Sequence, residues 1–387
     1  MLNVLGISWD YYIRNLDSGT NGDFNVRQRE YSERLKSLVR IVYSPQNTNT
    51  DRNSCENNLE IYYSSSKNRM YFPLDVVNIT RNIIKDKHID VLSAEDPVFA
   101  GPVGLFLRNK YKIPLNVQIH FDAIDNPYRL SQRKRNHLYN IIAKWVVRRA
   151  DSIRVVSEEI KMKLLNIGID EKKIWVVPVR ITASMFENAV GDEIRKDLLK
   201  GKYNKLVLFV GRLSPEKDIP TLLKAFAKVL HKHSSALLLI VGEGRERAQL
   251  MNIVDELHMK ENVLFQGAVQ YDLLPQYFAA CDLFVLPSLR EARGNVVVEA
   301  ALCKKPIITT SGTGAQEWVI NNQSGFIIKQ KDHDCLADKI LYLLDNSDIA
   351  RQFGEREYNF VKEKLRVLND VDTLIRCWEE TAKVKVS

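Results

Sequence analysis

The stretch Leu283-Phe284-Val285-Leu286-Pro287-Ser288-Leu289-Arg290-Glu291-Ala292-Arg293-Gly294-Asn295-Val296-Val297-Val298-Glu299-Ala300-Ala301-Leu302 reads as an apolar strand, a polar corner and a helix. After Gly294 the only charge in the run is Glu299. An unpaired buried carboxylate costs several kcal/mol. Glu299 therefore either meets a fixed donor inside the protein or faces a cleft that receives a hydroxyl-bearing ligand. Glu291 lies at the strand-to-helix corner, where the C-terminal edge of a parallel sheet holds its ligand.

A helix that starts near Gly294 turns its first N–H groups, those around Asn295 and Val296, back into that corner, an arrangement that favours a phosphate. The two carboxylates would then flank a diphosphate, one accepting hydrogen bonds from sugar hydroxyls and the other from ribose hydroxyls, as a nucleotide-sugar requires. The competing reading makes Glu291 a helix cap and Glu299 a core carboxylate held by a backbone donor or an arginine.

Glu291-x7-Glu299 on a strand, corner and helix resembles the paired-glutamate motif of retaining glycosyltransferases of family 4. The resemblance extends to Phe209-Val210-Gly211-Arg212-Leu213-Ser214-Pro215-Glu216-Lys217, Ile240 to Gly244, Val263 to Gly267, Tyr277 to Asp282 and Gly314-Ala315-Gln316-Glu317, in that order. It covers the second half strongly and the first half more loosely. It implies two Rossmann-like, doubly wound parallel-sheet domains facing across a cleft, the GT-B architecture. The implied activity moves a sugar from a nucleotide-sugar, a UDP- or GDP-sugar, to a glycan or lipid-linked acceptor in cell-surface polysaccharide or glycoconjugate synthesis. Configuration would be retained, with attack on the face the diphosphate leaves and the leaving phosphate assisting proton removal.

The same resemblance places His120 near the transferred sugar, with Asp122 held more loosely, and a glycine-rich loop containing Gly19 near the diphosphate. Gly242 and Gly244 would let the chain pass close to the nucleotide, and Glu317 would close the opposite side. Two departures from the family pattern lie beside the diphosphate region: Cys303-Lys304-Lys305-Pro306, where Cys-Gly-x-Pro is common, and Asp218, where glycine often follows the lysine.

Gly211, Arg212 and Lys217 directly follow an apolar strand. The planar fork of Arg212 suits phosphate oxygens, and Lys217 adds a second positive charge. Together with the helix N-terminus near Gly294 they would stabilise a departing nucleoside diphosphate without a metal, so neither metal nor cofactor is expected. Other classes are excluded in turn. No G-x-G-x-x-G follows a strand, which argues against a dinucleotide oxidoreductase, and the carboxylates are not set up as a double-displacement glycosidase pair. A sugar-nucleotide epimerase and a non-catalytic subunit or glycan-binding partner of another transferase remain as alternatives on the same architecture.

At 387 residues, 27% charged and 45% hydrophobic, the chain is globular and too long for one ordinary core. Apolar runs alternate with amphipathic stretches from the first strand, Leu2 to Ile7, onward, and alternation of this kind implies parallel sheets covered by helices. The boundaries expected are residues 1–185 for an acceptor-binding domain, 186–365 for a nucleotide-sugar-binding domain, and 366–387 for a C-terminal helix returning to the first. The longest apolar runs fall far short of a membrane span of ~20 residues, and the N-terminus lacks signal-peptide features, so a cytoplasmic protein is expected. The five cysteines form neither C-x-x-C nor His-paired patterns, and core packing is the reading for most.

The net charge of +8 is unevenly placed, with 28 Lys and Arg against 21 Asp and Glu in residues 1–190 and 28 against 27 in residues 191–387. A helix over 131–150 carries Leu138, Ile141, Ile142, Trp145 and Val146 on one stripe among Arg133, Lys134, Arg135, Lys144, Arg148 and Arg149. Either the stripe faces the sheet, or the basic rim and Trp145 rest on the anionic inner face of the cell membrane. No nucleic-acid-binding motif accompanies the patch.

Overall fold

The computed structural model describes residues 1–9, 23–44, 53–64, 66, 68–179, 181–367 and 370–386. The chain divides into two compact units, Met1–Arg180 with Asn369–Ser387, and Ile181–Leu368. Each is built on one sheet.

The first unit contains β1 (Asn3–Ser8), β2 (Ser37–Val42), β3 (Asn53–Glu56), β4 (Leu59–Tyr63), β5 (Val91–Ala94), β6 (Leu115–Ile119), β7 (Ser152–Val155) and β8 (Ile174–Val176). Among the described residues their order is β3-β4-β2-β1-β5-β6-β7-β8. All pairings are parallel except that of the edge strand β3 with β4. The second unit contains β9 (Lys205–Val210), β10 (Ala236–Val241), β11 (Val263–Gly267), β12 (Leu283–Leu286), β13 (Ile307–Thr310) and β14 (Gly325–Ile328). These form an all-parallel sheet in the order β11-β10-β9-β12-β13-β14.

Helices cover both sheets because the central strands are apolar on both faces. Every residue of β10 and of β12 is buried, and each large aliphatic side chain so removed from water contributes roughly 1.5–3 kcal/mol. Both units are Rossmann-like. In each, the strand order reverses beside the first strand, at β1/β5 in one and β9/β12 in the other, and such switch points open a crevice at the C-terminal strand ends.

The last helix, Asp370–Ala382, belongs to the first unit. Its Val371, Leu374 and Trp378 pack into a core with Val4, Leu38 and Val91, and Trp378 meets Tyr31 edge-on at 5.9 Å. The buried thiols of Cys281 and Cys377 fit the core reading.

The basic segment departs from the single helix expected over 131–150. It is two helices, Pro127–Gln132 and Arg135–Arg149, separated at Arg133. The apolar stripe is also divided. Ala143, Val146 and Val147 are buried, whereas Leu138, Ile141 and Trp145 are 56%, 63% and 43% exposed. A sheet-facing stripe is thus corrected for those three side chains, because small and β-branched residues one face round supply the close contact. Among the described residues no helix is long and apolar enough to cross a membrane.

Candidate active site

At the β9/β12 switch point two loops meet. The loop after β9 ends in a short turn, Pro215–Lys217, and the corner after β12 runs from Pro287 to Gly294. A main-chain bond from Leu289 N to Glu216 O (2.8 Å) ties them together. Across this seam Lys217 Nζ forms an ion pair with Glu291 Oε1, both side chains being only 12% exposed. Ser288 Oγ donates to the same carboxylate oxygen at 2.9 Å, and Gly314 N donates to the Glu291 carbonyl at 2.9 Å. Two residues 74 positions apart in sequence are therefore fixed against one another.

Arg212 behaves differently. Its side chain is 80% exposed, with Glu216 Oε1 at 3.7 Å, so its fork stays accessible. Gly294 precedes the helix Asn295–Leu302 in the left-handed region (φ +80°), and no side chain caps the helix. A Cβ there would stand 2.7 Å from the Ala315 Cβ, so glycine serves both the turn and the packing. Behind it, buried Arg293 donates to Asn295 Oδ1 at 3.3 Å and lies 4.8 Å from the Trp318 ring.

Gly242 and Gly244 make their close approach to protein backbone. A Cβ at Gly242 would lie 1.9 Å from Gly211 O, and one at Gly244 2.2 Å from Leu213 O. The loops after β9 and β10 are zipped by Gly211 N to Val241 O (2.9 Å) and Leu213 N to Glu243 O (3.0 Å). The two glycines thus set the path of the loop that carries Arg212 and Lys217.

Glu299 is buried on the helix Asn295–Leu302, and the Tyr271 hydroxyl donates to its Oε1 at 3.4 Å. Of the two readings for Glu299, a donor inside the protein is present. Tyr271 sits edge-on to Phe186, and nothing in the sequence around it signalled the contact. The departures Asp218 and Lys304 both adopt left-handed backbone (φ +48° and +57°), where glycine is the easy residue and aspartate is tolerated. Burial pushes the Asp218 carboxyl up against the Thr221 hydroxyl, Lys331 and Lys224. Glu317 lies in the turn Gly314–Trp318, and its carbonyl accepts from Lys364.

In the first unit His120 stands half-buried just beyond β6. Asp122 is engaged internally, accepting from Lys163 Nζ and Asn126 Nδ2 at 2.7 Å each. Beside His120, on the next strand end, stands Glu95, which the sequence reading did not select. Gly19 lies outside the described residues.

Among the described residues no group of three His, Cys, Asp or Glu side chains converges on a metal position. The sequence does contain two Asp-x-Asp runs, Asp332-His333-Asp334 and Asp370-Val371-Asp372. Asp332 caps a helix by accepting from Cys335 N, Asp334 pairs with Lys228 and Asp372 with Arg34.

Two Rossmann-like domains, each on its own doubly wound, mostly parallel sheet, are the architecture of the GT-B fold. The chain belongs to glycosyltransferase family 4: residues 30–181 match the model described as Glycosyltransferase Family 4, and residues 190–360 the one described as Glycosyl transferases group 1. An uncharacterized glycosyltransferase of Methanocaldococcus jannaschii is 32% identical over 295 residues, 74% of this chain and 71% of the relative. The capsular polysaccharide biosynthesis glycosyltransferase CapM of Staphylococcus aureus is 28% identical over 231 residues, 56% of this chain and 58% of CapM. In fold, the chain resembles Anabaena HepE in complex with UDP-glucose, with a TM-score of 0.75 at 18% identity, covering 99% of this chain and 100% of HepE.

Proposed function

We propose that this glycosyltransferase is a retaining, metal-independent enzyme that moves a hexosyl or related sugar from a UDP- or GDP-sugar to a glycan or lipid-linked acceptor. Its place would be cell-surface polysaccharide or glycoconjugate synthesis on the cytoplasmic side. The observation that carries the reading is the Lys217–Glu291 pair at the β9/β12 switch point, flanked by the exposed Arg212 and the bare helix end at Gly294. The printed names of CapM and of the UDP-glucose complex of HepE support the process and the donor class.

In the mechanism that follows, the arriving diphosphate takes up the positive charge of Lys217, whose ammonium carries three donors and keeps Glu291 as one partner. Glu291 accepts from hydroxyls of the transferred sugar, and Glu299, beside Tyr271, accepts from the ribose. As the sugar–phosphate bond breaks, negative charge grows on the departing diphosphate and is met by Arg212, Lys217 and the N–H groups at Asn295 and Val296. The acceptor hydroxyl attacks from the same face, and its proton passes to the leaving phosphate oxygen. His120 faces the transferred sugar.

The first domain would hold the acceptor. Leu138, Ile141 and Trp145, exposed beside Arg148 and Arg149, suit peripheral contact with an anionic bilayer, each cation being worth about 1 kcal/mol near such a surface.

The deciding experiment incubates the purified protein with a panel of UDP-, GDP- and ADP-sugars and follows nucleoside diphosphate release and product anomer by NMR, with and without EDTA. Release from a UDP- or GDP-sugar that survives EDTA and keeps the donor's anomeric configuration supports the reading. An inverted product, or activity abolished by EDTA and restored by a divalent ion, refutes it.

A further inference from the structure

We propose that Trp318 is a positioning residue: its ring holds the Arg293 guanidinium and, through it, keeps the uncapped start of the helix Asn295–Leu302 in place for the donor diphosphate. The proposal rests on the reading of the corner from Pro287 to Gly294 as the diphosphate site.

That corner has no strand ladder of its own, so its shape depends on what is packed behind it. β12 and β13 run parallel and adjacent, and the chain after β13 comes back against the corner. Gly314 N donates to the Glu291 carbonyl at 2.9 Å. A Cβ on Gly314 would fall 2.3 Å from Ala292 O, and one on Gly294 2.7 Å from the Ala315 Cβ. A glycine on each side therefore lets the turn Gly314–Trp318 lie directly against Ala292 to Gly294. Gln330 Nε2 bridges the two loops, donating to Leu289 O at 3.1 Å and to Ser311 O at 3.0 Å.

The turn ends in Trp318, which is buried, as is Arg293. Arg293 Nη1 spans Gly294 to donate to Asn295 Oδ1 at 3.3 Å, and its Cζ stands 4.8 Å from the centre of the Trp318 ring. This strap engages the Asn295 side chain and leaves the first N–H groups of the helix to a ligand. A second cation lies over the same ring. Lys364 Nζ, from the helix Ser347–Val367, is 4.4 Å from the ring centre and donates to the Glu317 carbonyl, so it fixes both the indole and the backbone beside it. Burying a cation is costly unless something compensates it, and the negative face of an indole does so. The competing reading is a large side chain that merely fills the core. Two cations over one ring are more than filling requires, and the indole N–H has no acceptor among the described residues, so the surroundings use the ring face rather than the donor. Phenylalanine would keep an aromatic face at this position, whereas leucine would keep only apolar bulk.

The test is hydrogen exchange by mass spectrometry on the full chain without ligand, for wild type, Trp318→Phe, Trp318→Leu, Arg293→Met and Arg293→Met/Trp318→Leu. The readout is the peptides carrying Leu289 N, bonded to Glu216 O at 2.8 Å, and Gly314 N, set against those of β9 and β10. Exchange at the corner should be about tenfold faster in Trp318→Leu and in Arg293→Met and no faster in the double variant, with β9 and β10 unchanged. Trp318→Phe should stay within about twofold of wild type. With the donor identified, kcat should fall about tenfold in Trp318→Leu and recover to within about twofold in Trp318→Phe. Corner exchange that keeps its wild-type rate in Trp318→Leu, rises equally in Trp318→Phe or multiplies in the double variant overturns the proposal. A rise spread evenly over β9 and β10 overturns it too, as the mark of a core filler, and so does an unchanged kcat with a loosened corner. Should Trp318→Leu not fold, Arg293→Met decides: faster exchange confined to the corner supports the proposal, and a wild-type rate overturns it. Because exchange needs no substrate, failure to find a nucleotide-sugar donor would sink the proposed function and leave this inference to be judged on its own readout.

Discussion

The two switch points, β1/β5 and β9/β12, have the same topology and opposite construction. In the first domain the charged groups stand on or directly beside strands, and Arg40 and Arg154 are buried. Partners within the domain satisfy them. In the second domain they stand on loops: Lys217 on a short turn, Glu291 at a corner, Arg212 largely in solvent, and a helix end without a cap. Strand-borne groups are fixed by ladder geometry and suit positioning, whereas loop-borne groups keep donors open for a ligand. Two buried glutamates repeat the contrast. Glu95, with Arg40 against it, is held low. Glu357, fully buried on the helix Ser347–Val367, is pushed up to about 8 by burial, with only the Ser324 hydroxyl and Lys364 opposing.

The largest effect expected is on the loop-built corner. Lys217→Ala should lower donor turnover roughly 10²- to 10³-fold, as removal of a charge-stabilising donor does. Glu291→Ala should be comparably severe, and the double variant no worse than the worse single one, because the two residues act as one unit. Multiplying losses in steady-state kinetics would break the pairing.

Next comes the backbone zipper that places the corner. Gly242→Ala forces a Cβ to 1.9 Å from Gly211 O and should cost about 2–3 kcal/mol in denaturant unfolding. Gly168→Ala, in the first domain at φ +83° with nothing within 4 Å of its Cβ, should cost only about 1 kcal/mol for its left-handed backbone. Equal costs would mean that the zipper is slack.

Arg212→Ala should weaken nucleoside diphosphate binding by roughly 1.5–3 kcal/mol in calorimetry while moving stability less than about 0.5 kcal/mol, as for an exposed side chain. A large stability loss would show Arg212 to be structural.

The remaining effect is spread over several pH units, a pH slope of opposite sign for the two glutamates. Glu357 binds its proton more tightly folded than unfolded, so its contribution is full below its ordinary value of 4.5 and is lost as pH rises to about 8, at about 1.4 kcal/mol per pH unit. Glu357→Gln should flatten that slope in melts over this range. Glu95 contributes above the ordinary carboxylate range, and its contribution is lost as pH falls through its depressed folded value. A wild-type stability that is level from pH 4.5 to 8 and unchanged by Glu357→Gln would remove the contrast.

Taken alone, the sequence determined the alternation that makes two parallel sheets and the corner from Pro287 to Gly294. It also showed the charge imbalance between the halves, because strand, turn and helix patterns are local. Only the tertiary structure decided which strand ends are neighbours. Lys217 meets Glu291 across 74 positions, Arg40 meets Glu95 across 55 and Tyr271 meets Glu299 across 28, since crossover connections, rather than chain order, set the order of a sheet. The same reason hid the role of Gly242 and Gly244, whose nearest obstacles are backbone atoms of the adjacent loop. It also hid the exposure of Leu138, Ile141 and Trp145, because a helical stripe records which residues share a face, and the face that meets the core is chosen by the shapes packed against it.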